Sequence, residues 1–313
     1  MSGLRQLPRV VAFGGGHGLS ASLSALRRIT DQLTAVVTVA DDGGSSGRLR
    51  KEFACLPPGD LRMALAALCS DDKVGRTWAS VLQARYNGSG PLAGHAVGNL
   101  LIAGLWQEFD DPVEGLDMVG DLLRTRGRVL PMSSVPLDIE ADVLGLDPME
   151  PDEICTLSGQ STVAKTMATV QSVRLVPDRP PARPEAVAAV EEADAVVLGP
   201  GSWFTSVIPH LLVPELAAAI GRTKATRILV LNIASAAETD GFTASRHIEL
   251  LAEHAPELRL DKVIVDVAFA DRYLERFVAA LGGDVVIADL RARDGSTTHD
   301  INRLASVFSE VIG

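Results

Sequence analysis

Short apolar runs alternate along this chain with stretches whose apolar residues recur every three or four positions. Val10-Val11-Ala12-Phe13 has the pattern of a buried strand, and glycines then lead into 19–26, where Leu19, Leu23 and Leu26 fall at helical spacing. The same rhythm predicts further strands over 33–40, 194–198, 227–232, 262–267 and 285–288. It predicts helices over 61–68, 71–86, 100–109, 113–124, 185–193, 216–220, 243–254, 271–281 and 300–311, with Thr243 a natural N-cap. Continuous apolar strands alternating with helices imply an α/β, Rossmann-like three-layer fold on a parallel sheet. Between 128 and 183 the rhythm breaks. Candidate strands over 141–144, 153–157 and 170–175 follow one another with polar turns and no convincing amphipathic helix, which predicts a small strand-rich excursion. The expected division is therefore a core of 1–127 and 184–313, with 128–183 inserted and four prolines in 177–184 marking the return.

Three stretches just past predicted strand ends carry the candidate chemistry. In Gly14-Gly15-Gly16-His17-Gly18 the backbone turns tightly into a helix, whose unpaired N–H groups suit an anion. The spacing is not the dinucleotide fingerprint, because Leu19 stands where its third glycine belongs, and no phosphate-loop lysine follows. Asp41-Asp42-Gly43-Gly44-Ser45-Ser46-Gly47-Arg48 joins two carboxylates to glycines, hydroxyls and a cation. The acids suit Mg²⁺ or hydroxyls, and Ser45, Ser46, the loop amides and Arg48 suit phosphate oxygens. Gly199-Pro200-Gly201-Ser202 is a second candidate anion loop, and Glu238, Thr239 and Asp240 lie at the same expected edge, suited to sugar hydroxyls. Asp60 is read as the N-cap of the 61–68 helix, with Arg62 in its first turn, placed to meet an anion at the cleft. His95 and Asn99, four apart, share a face if a helix starts by His95.

Composition narrows the field. A chain of 313 residues with 47% hydrophobic content can bury a large core, and a net charge of −11 argues against non-specific attraction to nucleic acid or anionic membrane. Three cysteines without metal-ligand spacing give no disulfide framework. No segment offers roughly 18 consecutive apolar residues, so no membrane span is expected. No secretory leader precedes the first strand, and a cytoplasmic location is the expectation.

These motifs, with Leu56-Pro57-Pro58-Gly59-Asp60-Leu61-Arg62, Gly94-His95-Ala96-Val97-Gly98-Asn99 and Glu238-Thr239-Asp240-Gly241-Phe242-Thr243, resemble the gluconeogenesis factor family. That family belongs to the wider group containing 2-phospho-L-lactate transferase, the enzyme of coenzyme F420 synthesis. The resemblance spans nearly the whole chain. It implies a Rossmann-like fold, a cytoplasmic binding protein for a UDP-sugar such as UDP-N-acetylglucosamine, and a role in cell shape and peptidoglycan synthesis during gluconeogenic growth. Phosphates would then lie over Gly15, Gly16, His17 and Gly18, over Ser45, Ser46 and Arg48, and over Gly199, Gly201 and Ser202. Ribose or sugar hydroxyls would meet Asp41, Asp42, Asn99, Glu238, Thr239 and Asp240. The chain departs from the family pattern at His17, where threonine is usual, at Met63, and in 233–237. Tyr273 is the nearest aromatic candidate where the family holds uracil.

The regulatory reading requires no cofactor beyond its ligand and allows protein partners in cell-wall synthesis and a homo-oligomer. The alternative is a nucleotide-linked phosphotransferase like 2-phospho-L-lactate transferase, with Asp41 and Asp42 holding Mg²⁺. A dehydrogenase ranks third, since the fingerprint is incomplete and Gly14 to Asp41 exceeds the roughly 20 residues expected.

Overall fold

The computed structural model describes residues 7–313. Its centre is β1 (Val10–Gly14), buried along its whole length and paired in parallel with a neighbour on each side. On one side lies β2 (Leu33–Val37), followed by β3 (Arg128–Pro131). A second, three-stranded sheet comes next in the chain, built from β4 (Asp138–Leu144), β5 (Cys155–Ser158) and β6 (Thr169–Val176). The main sheet resumes on the other side of β1 with β7 (Ala195–Leu198), β8 (Thr226–Val230), β9 (Lys262–Asp266) and β10 (Asp284–Ala288). The seven main strands run in the order β10-β9-β8-β7-β1-β2-β3, all parallel. Strand order therefore reverses direction between β1 and β7, the position where open α/β sheets leave a crevice at their carboxyl edge.

The fold is the Rossmann-like α/β architecture expected, and its excursion is antiparallel, in the order β5-β4-β6. Along β4 the residues alternate: Ile139, Ala141 and Val143 are buried, while Glu140 and Asp142 face outward and pair with Arg174 of β6. One strand falls differently from the sequence reading. Arg128–Pro131, assigned to the insertion, is the outer strand of the main sheet, so the separate sheet begins only at Asp138. Four residues were too few to show which sheet they join.

The helices that shape the crevice come from the first half of the chain. They are α1 (Gly16–Leu26), α2 (Gly44–Phe53), α3 (Pro58–Leu68), α4 (Lys73–Gln83), α5 (Val97–Glu108) and α6 (Pro112–Leu123). Here α2 is a correction. The glycine and serine run after Asp42 reads as a loop, yet it winds into a helix at Gly44 that buries Ser45, Ser46 and Leu49 and ends at Ala54 in the left-handed region (φ 51°). Helix-favouring Arg48-Leu49-Arg50-Lys51-Glu52 carries the run, and glycines serve only its start. A second correction concerns α3, which starts at Pro58, so Asp60 lies in its first turn and is not its cap.

Candidate functional site

Gly15 caps α1 with no side chain of its own, and the space beside it holds the Asp60 carboxylate. A Cβ on Gly15 would collide with Asp60 Oδ2 and stand 2.7 Å from Thr38 Oγ1. Thr38 Oγ1 donates to Asp60 Oδ2 at 3.0 Å, and the Gly16 amide also faces the carboxylate. Asp60 is only 9% exposed. Burial, then the neighbouring Asp41, push its carboxyl up to about 6. Asp41 Oδ1 accepts the Gly43 N–H at 3.0 Å, and its Oδ2 points toward Gly59, where a Cβ would stand 2.5 Å away. The bare Gly59 thus lets Asp41 and Ser46 crowd the start of α3. Two carboxylates from different elements converge beside the α1 start.

Behind them is a buried polar network. Ser45 Oγ lies 2.9 Å from His95 Nδ1 and accepts from Asn99 Nδ2 at 3.0 Å and the Ala96 N–H at 3.4 Å. With two donors already on the serine oxygen, its own hydrogen goes to His95 Nδ1. Burial first, and Arg48 next, hold the His95 imidazole below its usual range, so it stays neutral and accepting. Asn99 Nδ2 also reaches Ser46 Oγ at 3.4 Å. The helix expected to put His95 and Asn99 on one face starts only at Val97, so His95 lies outside it, yet both side chains converge on Ser45.

The acids, Ser45, Ser46 and Asn99 line one cavity of ≈ 240 Å³ together with Arg62, Met63 and Arg85. Larger cavities exist, but that of ≈ 450 Å³ opens among Arg9, Asp31, Arg128 and Glu192 at the amino ends of the strands, away from the crevice. Position and chemistry outrank volume here.

Several expected site residues are placed elsewhere. Arg48 is exposed, and its guanidinium donates to the carbonyls of Pro91 (3.3 Å) and Ala93 (2.8 Å), tying α2 to the loop before α5. Asp42 turns to the insertion: Oδ1 accepts the Ser161 N–H at 2.9 Å, and Oδ2 sits against Gly159. His17 is exposed on the first turn of α1.

The Gly199–Ser202 turn touches the first glycine turn directly. A Cβ on Gly18 would run into the Pro200 carbonyl and stand 2.6 Å from Gly201 Cα. The second turn holds itself together. Asn232 clamps Gly201 from both sides, accepting its N–H at 2.9 Å and donating to its carbonyl at 2.8 Å. Glu238, 3% exposed, accepts from Ser202 Oγ (2.7 Å), the Trp203 N–H (2.6 Å) and the Phe204 N–H (3.4 Å). The amides expected to meet an anion therefore meet a carboxylate of the same chain. Burial raises the Glu238 carboxyl above its usual range, against the pull of those hydrogen bonds. Thr239 Oγ1 accepts the Ala236 N–H at 3.0 Å, and Asp240 is exposed.

Sequence reading left Thr38 and Asp60 out of the site, although Asp60 stood in a quoted motif. Glycines at 15 and 59, each beside a polar strand end in space, were the available signal. Among the described residues no three of His, Cys, Asp and Glu converge as a metal site, but Mg²⁺ commonly needs only one or two carboxylates plus phosphate oxygens. Asp41 and Asp60 fit that demand. Nor is any single helix among those residues long and apolar enough to cross a membrane.

The chain is similar to known proteins along nearly its whole length. The family profile described as "2-phospho-L-lactate transferase CofD" matches residues 10–302. A Mycobacterium tuberculosis protein named "Putative gluconeogenesis factor" is 54% identical over 308 residues, covering 96% of this chain and 90% of its own. The "Gluconeogenesis factor" of Bacillus subtilis is 32% identical, covering 98% and 99%. A crystal structure from Bacillus halodurans, described as a member of the upf0052 family, superposes with a TM-score of 0.84 at 31% identity over 97% of this chain and 99% of that one. With the match running from β1 into the last helix, this chain belongs to the CofD family and, within it, stands with the gluconeogenesis factors.

Proposed function

We propose that this protein binds a nucleoside diphosphate group at the cavity beyond the carboxyl ends of β1 and β2, with Mg²⁺ held by Asp41 and Asp60, and carries the nucleotide-linked phosphotransfer chemistry of its family. The observation behind this reading is the convergence of those two carboxylates, with Asp60 pushed up to about 6 because burial and Asp41 outweigh the opposing pull of Arg62, which makes no ion pair with either acid among the described residues. Like charges forced together in a buried place are a standing demand for a cation. Bound there, Mg²⁺ neutralises phosphate charge. The α1 amides donate to phosphate oxygens, Thr38 fixes the orientation of Asp60, and the Ser45–His95–Asn99 network holds the α2 start rigid.

A second reading has its own support, namely the full-length similarity to proteins named gluconeogenesis factors. In it the same cavity holds a UDP-sugar such as UDP-N-acetylglucosamine without turnover, and the protein regulates morphogenesis and cell-wall synthesis through protein partners in the cytoplasm, as a monomer or homo-oligomer. One experiment separates the two. The purified chain is titrated calorimetrically with GDP, UDP-glucose, UDP-N-acetylglucosamine and NAD, each with and without Mg²⁺. Mg²⁺-dependent binding of a nucleoside diphosphate supports the first reading, and equally tight metal-free binding of a UDP-sugar replaces it with the second.

A further inference from the structure

The cavity is lined by acids and by two arginines, and the metal-diphosphate reading uses only the acids. Of the arginines, Arg62 is 5% exposed, with one nitrogen donating to Gln83 Oε1 and its Nε buried without a partner. Asp60 and Asp41 act on it only at longer range, and among the described residues no carboxylate lies within ion-pair distance of it. Arg27, Arg50, Arg183 and Arg227, with more of their side chains exposed or nearly so, each have one. The backbone makes room for this arrangement: a Cβ on Gly98 would stand 2.8 Å from Arg62 Cγ. Arg85 shares the cavity wall, near enough for the two positive charges to oppose each other, and donates one hydrogen bond to the Gly94 carbonyl at 2.8 Å. Asn99, 1% exposed, also faces this cavity, and one end of its amide, Oδ1, is buried without a partner.

A buried guanidinium with no direct ion pair and an unpartnered Nε is expensive unless a ligand supplies the missing contacts. Its planar fork matches two oxygens of a carboxylate or phosphate group. We infer that Arg62 and Arg85 form a second anion subsite, which takes the carboxylate or phosphomonoester group on the non-nucleotide part of the ligand. This rests on the reading that Asp41 and Asp60 hold the metal-bound diphosphate. The acids and the arginines then orient one ligand by opposite charge preferences. Asn99 adds no anion contact: its Nδ2 is taken by the α2 serines, and its unpartnered Oδ1 suits a hydroxyl or N–H donor of the ligand.

The test titrates the whole, metal-stripped protein with malonate and with inorganic phosphate in the presence of chelator, and separately with GDP and UDP in the presence of Mg²⁺. One-to-one binding of malonate, phosphate or both without metal is the expected result, and the preferred probe distinguishes a carboxylate from a phosphomonoester ligand. Arg62→Gln weakens that binding by about tenfold or more, the loss expected for a charge-assisted pair, and Arg62→Lys by less. Arg85→Gln, at an exposed position, supplies a second variant should Arg62→Gln fail to fold, and it weakens binding in the same sense. Failure of the wild-type protein to bind either probe overturns the inference. So does binding that requires Mg²⁺, which places the probe at the acids, or affinity unmoved in the folded variants. Small-anion binding without any nucleotide binding sinks the functional reading and leaves the anion subsite standing; the reverse pattern does the opposite.

Discussion

Two glycine-rich turns sit side by side at the carboxyl edge of the same sheet, one after β1 and one after β7, and they have been finished differently. Around the first, charged groups of both signs are gathered without direct ion pairs: Asp41 and Asp60 crowd each other, Arg62 has an unpartnered Nε, and Asn99 has a free amide end. Around the second, the amides and hydroxyls of the turn are held within the chain, although Glu238 Oε2 and Trp203 Nε1 stay buried without partners. Asn232 holds Gly201, and Glu238 occupies the amides of Trp203 and Phe204. A glycine turn before a helix signals only that amides are available. Which ligand takes them, foreign or internal, is decided by residues far away in sequence. Under the proposed function, ligand chemistry falls to the first turn and support to the second.

The largest expected effect lies where the turns meet. Gly18→Ala drives a methyl group into the Pro200 carbonyl and should destabilise the fold by about 3 kcal/mol or more. At Gly16 the nearest atom to an added Cβ is Asp60 Oδ1 at 3.9 Å, so Gly16→Ala meets only the strain of its positive φ (55°), about 1 kcal/mol. Urea unfolding of both variants checks this. Similar losses at the two positions would mean that the turns are not in contact.

Glu238→Ala comes next. It strips the acceptor from two buried amides and the Ser202 hydroxyl, which should cost about 3 kcal/mol, whereas Glu238→Gln keeps an acceptor and stays near wild type. Nucleotide affinity measured on Glu238→Gln tells the roles apart. A loss of binding in that folded variant would return Glu238 to the ligand shell and undo the contrast between the turns.

Asp60→Asn probes the first turn. The folded-state carboxyl is raised from 3.8 to about 6, so ionising it opposes folding. The stability it forfeits is intact below pH 3.8, is lost as pH rises from there to about 6, and stays lost above. Without metal, the asparagine variant should therefore be more stable than wild type at pH 7, by about 2 kcal/mol, with the difference gone at pH 4. Mg²⁺ should raise the melting temperature of wild type at pH 7 and leave the variant unmoved. A variant less stable than wild type at pH 7 would show that the carboxylate is satisfied within the chain, like Glu238.

These contrasts explain what the sequence could show. The apolar runs at 10–13 and 194–198 announce strands because burial on both faces leaves no room for polar residues, and the helices with strong apolar spacing were equally visible. The helix over Gly44–Phe53 was hidden because its first turn is glycine and serine, which read as loop. Asp41 stood out beside glycines, but Asp60 acquires its role only where α3 brings it against Gly15, forty-five residues away. Glu238 was misplaced for the mirror reason: its partners are amides 34 and 35 residues earlier, and no local pattern records them. Spacing reports which face a residue shares, not which partner has already claimed it.

The smallest effect is also the sharpest test of that lesson. Asp42 stands next to Asp41, and adjacency suggests a shared metal or sugar, yet its carboxylate accepts the Ser161 N–H and thereby docks the three-stranded insertion on the start of α2. If docking is its whole role, the negative charge matters little and the acceptor oxygen matters. Asp42→Asn, which keeps an oxygen acceptor, should then change stability and Mg²⁺-dependent nucleotide affinity by less than about 1 kcal/mol. Asp42→Ala should lose more and should speed amide hydrogen exchange at 159–163, because the turn that leans on the carboxylate is released. A large loss of nucleotide affinity in Asp42→Asn, with exchange at the turn unchanged, would move Asp42 back beside Asp41 as a ligand. The acidic pair would then be a triad, and the division between an open turn and a closed one would run along the chain rather than through it.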